Sequence, residues 1–101
     1  MIYFKRYEAE RGAIVAMCDE ELIGKVIKEG DIVIDLSKYS GFYKGELVSE
    51  EDAMNIFDDD IYSANIVGKR AIEAVVNAGL AKHGDEKTVA GIPFLQIFKI
   101  D

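Results

Sequence analysis

A chain of 101 residues, half of them hydrophobic and 31% charged, has the length and make-up of one folded domain, residues 1–101. A single cysteine excludes an internal disulfide, and no apolar run approaches the ~20 residues that cross a bilayer. A net charge of −7 excludes a generally basic surface for nucleic acid. The start, "MIYFKRYEAERG", has no basic leader followed by an apolar stretch, so no signal peptide is expected and the chain reads as cytoplasmic. The charge is uneven. Seven of the 19 acids lie in residues 46–62 with no base among them, leaving 12 acids against 12 bases elsewhere. That tract repels phosphate and suits a cation or a basic partner.

In chain order, "IYFKRY" is rich in aromatic and β-branched residues and predicts a strand. "EAERG" turns it, and "AIVAMC" returns as a second strand to make a hairpin. Asp19 then caps a short helix through Glu20, Glu21 and Leu22, which Gly24 ends. "KVIKEGDIVIDLS" continues as extended chain turned at Glu29 and Gly30, with Ile32, Ile34 and Leu36 alternating against Asp31, Val33 and Asp35. In "LSKYSGFYKGELVSEED", Gly41 and Gly45 bracket two large rings. As extended neighbours, Phe42 and Tyr43 would point to opposite sides, Phe42 into the core and Tyr43 outward; both rings packed as core is the alternative.

Ser49 predicts a helix start, its hydroxyl accepting from the amide of Asp52 in a capping-box pattern, with Ala53, Ile56 and Phe57 on the buried face. The helix should end near Phe57 or the run Asp58, Asp59, Asp60, because anions disfavour a helix C-terminus. A second helix is expected from Ser63 or Asn65, with Ala64, Gly68, Ala71, Ile72 and Val75 as its buried stripe and Gly79 as its left-handed stop. After the polar "AKHGDEK", the segment "FLQIFKI" has apolar residues on both faces and reads as a central strand, preceded by an interruption from Gly91 to Pro93. The fold class expected is α+β: a mostly antiparallel sheet of about five strands with two main helices packed on it.

Several stretches carry a resemblance: "VAMCDEELIGK" with "EGD" after it, "FYKGELVSEE", "ANIVGKRAIEAVVNAGL" and the terminal "GIPFLQIFKI". In this order and spacing they resemble the archaeal family known as domain of unknown function 424, over nearly the whole chain. The resemblance implies a small cytoplasmic archaeal protein and brings no activity, substrate or catalytic residue with it. Information processing, around translation, is the setting expected of such a protein.

The residues themselves offer little chemistry. Cys18 between an apolar run and three acids reads as a structural thiol, since Asp19, Glu20 and Glu21 would raise its pKa. His83 is the only imidazole and sits in a polar loop, so no nucleophile–base pair and no soft-metal ligand set is expected. The "DDD" run lacks calcium-loop spacing, and neither "IGK" nor "VGKR" has the upstream glycine of a phosphate loop. No cofactor or metal is therefore expected, although a cation on residues 46–62 stays open.

The expected function is a non-catalytic binding or adaptor module working through a protein or ribonucleoprotein partner. Its surface is assigned to Tyr43, Lys44, Glu46, Asp19 and Glu20, with Asn65 as either a helix cap or a recognition residue. The alternative is a small-molecule or cation-dependent enzyme using Asp19, Glu20 or Glu46 as acid/base groups. A homodimer is a third reading.

Overall fold

Alternating apolar residues make strands, and strand pairing organises the chain. The computed structural model describes residues 1–57 and 60–98. β1 (Ile2–Ala9) and β2 (Gly12–Asp19) form the expected antiparallel hairpin, from Ile2 opposite Asp19 to Ala9 opposite Gly12. Next to them stand β5 (Glu46–Val48), β6 (Ile61–Val67), β7 (Lys87–Val89) and β8 (Ile92–Phe98), giving the order β5-β1-β2-β6-β8-β7. β2 and β6 pair in parallel; the other pairs of this sheet are antiparallel. A separate hairpin joins β3 (Val26–Glu29) to β4 (Ile32–Asp35), turning at Gly30 as expected. The fold is α+β. The main sheet has six strands rather than about five, because the three-residue strands β5 and β7 are too short to carry a periodicity of their own.

Among the described residues three α-helices accompany the strands: α1 (Ser40–Tyr43), α2 (Glu50–Met54) and α3 (Lys69–Asn77). α2 starts as expected, with the Ser49 hydroxyl accepting from the Asp52 amide at 3.1 Å. The expected helix from Ser63 or Asn65 is corrected. Residues 61–67 are β6, and α3 begins only at Lys69. β6 lies between β2 and β8, so both of its edges are paired, and Ser63, Ala64, Ile66 and Val67 are buried without the simple alternation of a half-buried strand. At the other end, Gly79 (φ 81°) does stop α3, with Gly79 N–H donating to Val76 O and Leu80 N–H to Val75 O. Asp58 and Asp59, and with them the central part of the acidic run considered for a cation, lie outside the described residues.

The two faces of the sheet are covered differently. Ile2, Val15, Met17, Ala64 and Ile66 point to one side, where α2 and α3 close over them with Ala53, Ala71, Ile72, Ala74 and Val75. On the opposite side, Cys18 and Val67 meet Leu22, Ile27, Leu36 and Val89, under the β3–β4 hairpin. Glu29 pins that hairpin to the β7–β8 turn, its carboxylate accepting from the Ala90 amide at 2.8 Å.

Candidate functional site

The hairpin and α1 cover only part of the second face. What remains between them is a groove whose cavity, about 470 Å³, is lined by Val33, Ile34, Tyr39, Phe42, Tyr43, Asn65 and Gln96 among others. A contiguous cavity of about 250 Å³ adds Val67, Phe94 and Leu95 and shares Ile34, Tyr43, Asn65 and Gln96. Asn65 and Gln96 are directly opposite each other on β6 and β8, and Gln96 Nε2 donates to Asn65 Oδ1 at 2.9 Å. That bond uses one donor and one acceptor. Asn65 Nδ2 and Gln96 Oε1 remain as a neighbouring donor and acceptor on the groove floor, the complement of any planar amide or amide-like edge.

Tertiary contacts, not local propensity, hold the aromatic wall. α1 is a single turn, too short to persist in water by itself. Tyr7 of β1 fixes it by stacking on Phe42 (centroids 5.2 Å apart, planes at 9°) and by donating its hydroxyl to Phe42 O at 2.9 Å. Lys5 Nζ donates to Gly41 O at 2.9 Å. Because residues 42 and 43 are helical rather than extended, their rings meet edge to face, at 88°, instead of pointing to opposite sides. The expected division of labour, Phe42 into the core and Tyr43 outward, does not hold: both rings are half-buried and both line the groove. Tyr43 is the ring packed against the second core, and burial pushes its hydroxyl up to about 12, with Cys18 adding a smaller push. Phe42 lies over β1. Of the two bracketing glycines, only Gly45 is required: a Cβ there would collide with Phe4 O, whereas Gly41 sits in open space within α1.

The other residues assigned to the surface are scattered. Asp19 is 3% exposed and its carboxylate caps α3, accepting from the Ala71 amide at 2.8 Å and the Arg70 amide at 3.1 Å. Burial pushes this carboxyl up, and the two amide bonds pull it part of the way back. Gly68, at φ 109°, lies so close that a Cβ would strike the Asp19 carboxylate. Asp19 is therefore committed to the fold and leaves the candidate site. Glu20 is exposed in a short 3-10 turn, residues Glu20–Leu22, at the end of β2. Lys44 and Glu46 are exposed around the β5 edge and do not line the groove. Asp19, Glu20 and Glu46 thus form no convergent set of carboxylates. Asn65 is no cap: it is a strand residue in the groove, where only its recognition role remains open.

Cys18 is fully buried, and its thiol is pushed up to about 12 by burial first and then by Asp19 and Glu21. Among the described residues no three His, Cys, Asp or Glu side chains are placed to hold a metal ion, and no helix is long and apolar enough to cross a membrane. Sequence reasoning passed over Gln96 and Tyr39. The signal for Gln96 was a single amide in the otherwise apolar "FLQIF"; for Tyr39 it was a third ring just before the glycine-bracketed pair.

A family model described as "Protein of unknown function (DUF424)" matches residues 7–100. Comparison with curated proteins gives no match. A crystal structure of an uncharacterized conserved protein from Methanopyrus kandleri resembles the chain with a TM-score of 0.78, at 24% identity, over 99% of this chain and 94% of that one. At that identity the likeness is one of fold.

Proposed function

Because the chain belongs to the DUF424 family of proteins of unknown function, whose description brings no chemistry, we propose from geometry that it is a non-catalytic binding or adaptor module. Its working surface is the groove floored by Asn65 and Gln96, and its partner is a protein or a ribonucleoprotein in the cytoplasm, around translation. One observation carries the reading: an amide donor and acceptor lie side by side on an open floor, walled by rings and aliphatic side chains. A surface that couples a few fixed polar groups to exposed apolar area suits recognition. Tyr39 is 55% exposed and Val33 51% exposed at its rim. The groove also avoids the protein's acid excess. Its one acid, Asp35, spends Oδ1 on the amides of Ser37 and Lys38, at 3.0 and 2.8 Å.

Affinity capture from the cells that express the chain tests this, run in parallel with Asn65→Ala and Gln96→Ala. A partner held by the native chain and lost by both variants, with unchanged thermal unfolding, is the expected result. Equal capture by all three would remove the groove from the function.

A further inference from the structure

The groove holds hydrogen-bonding capacity that its own residues do not spend. Asn65 Nδ2 and Gln96 Oε1 are left over from the bond between the two amides. Tyr43 lines the same groove, and its hydroxyl has no hydrogen-bond partner among the described residues. A free ring stands beside them. Phe42 is stacked on Tyr7 and met edge-on by Tyr43, whereas Tyr39 stacks on no described ring and is 55% exposed at the rim. The local charge is close to balanced. Asp35 is the one acid of the lining and already accepts the amides of Ser37 and Lys38, while the Lys38 ammonium lies 5.6 Å from the centre of the Tyr39 ring. The acids of β5 and α2 are elsewhere: β5 is the far edge strand, beyond β1 and β2, and α2 covers the opposite face of the sheet.

These features select among ligands. A trans peptide unit turns its N–H and C=O to opposite sides, so one unit does not answer a neighbouring donor and acceptor, and it has no ring for Tyr39. A primary amide answers the pair but offers no face to stack. A nucleobase has both, a donor and an acceptor adjacent on one edge of a flat, uncharged ring. In a duplex that edge is spent, so the base is an unpaired one. The groove is open at Tyr39 and runs on into the contiguous cavity at Val67 and Phe94, which suits a base carried by a strand rather than an enclosed small molecule. We infer that the groove receives an unpaired base of a single-stranded RNA, its edge on Asn65 and Gln96, its ring on Tyr39, and its phosphates left in solvent. The inference rests on the preceding reading and narrows its partner to the RNA of a ribonucleoprotein.

Fluorescence anisotropy of labelled RNA homo-oligomers of about eight nucleotides, titrated with the full chain, tests this. At least one oligomer should bind, its abasic counterpart and its duplex should not, and the matching free nucleoside should bind more weakly than the strand. Tyr39→Ala should weaken the oligomer by roughly tenfold while Tyr39→Phe, which keeps the ring, retains it. Gln96→Ala should also cost roughly tenfold. Because the contact is to the base, the slope of log Kd against log salt should stay below about 1.4, the value of two phosphate contacts on a single strand. Equal binding of the abasic oligomer, a steeper slope, or equal affinity of native chain and Tyr39→Ala would each overturn the inference. Tighter binding of the free nucleoside would overturn the strand as the occupant. Failure of every oligomer, with a cellular partner still lost by Asn65→Ala and Gln96→Ala, would overturn the RNA base and leave the groove as a protein-binding surface. The abasic comparison on the native chain decides the matter even where a variant does not fold.

Discussion

The two faces of one sheet meet different fates. On the helix side, Val15 and Met17 of β2 and Ala64 and Ile66 of β6 pack against apolar residues of α2 and α3, and burial of these side chains is nearly complete. On the other side, a four-residue helix and a short hairpin cover only the end of the sheet that carries Cys18 and Val67. Two residues along each strand from the Val67–Phe94 pair, Asn65 and Gln96 stay open. The difference teaches where stability and recognition reside. The closed face buries apolar area at roughly 25 cal/mol per Å², while the open face leaves polar and aromatic groups available to something else.

The comparison is broken or sharpened by substitutions on each side. Ile66→Ala, a 1% exposed side chain under the helices, should cost about 3–4 kcal/mol in urea denaturation. A loss below about 1 kcal/mol would mean that the helix side is not the packed face. Gly68→Ala comes next, at about 2–3 kcal/mol, because the new methyl strikes the Asp19 carboxylate and φ 109° is unfavourable for any Cβ. Calorimetry should show the fall, and Asp19→Ala in the same chain should relieve the steric part of it.

Cys18 tests burial on the second face through pH. The folded thiol titrates at about 12 against an ordinary 9.0, so the unfolded chain loses its proton first. The protection is complete below pH 9 and disappears as pH rises from 9 toward 12, with stability falling by up to ~1.4 kcal/mol per pH unit. Cys18→Ala should remove that contribution to the slope, read from urea midpoints across the alkaline range. Rapid labelling of the native thiol at neutral pH would contradict it. The smallest effects belong to the open face: Tyr39→Ala and Phe98→Ala, both more than half exposed, should shift the melting free energy by under about 0.5 kcal/mol. Large losses at either position would turn the open face into core.

What the sequence determined alone is whatever depends on neighbours along the chain. The Ile2–Ala9 and Gly12–Asp19 hairpin, the Ser49 cap and the Gly79 stop each arise from residues within a few positions, and each was legible. The thiol of Cys18 was legible too, since an apolar run ending in acids already implies its environment. Residues 61–67 were not. Ala64 falls in helical spacing with Gly68, Ala71, Ile72 and Val75, but only the last three are helical; for residues 61–67 the choice was made by parallel pairing with β2, some 50 residues earlier in the chain. That choice moved Asn65 from a helix cap to the floor of a groove and set it opposite Gln96, 31 residues away. The turn at residues 40–43 likewise took its shape from Tyr7, across more than thirty residues. Local rules select caps and turns; which side chains share a surface is decided by strand order, which long-range burial sets.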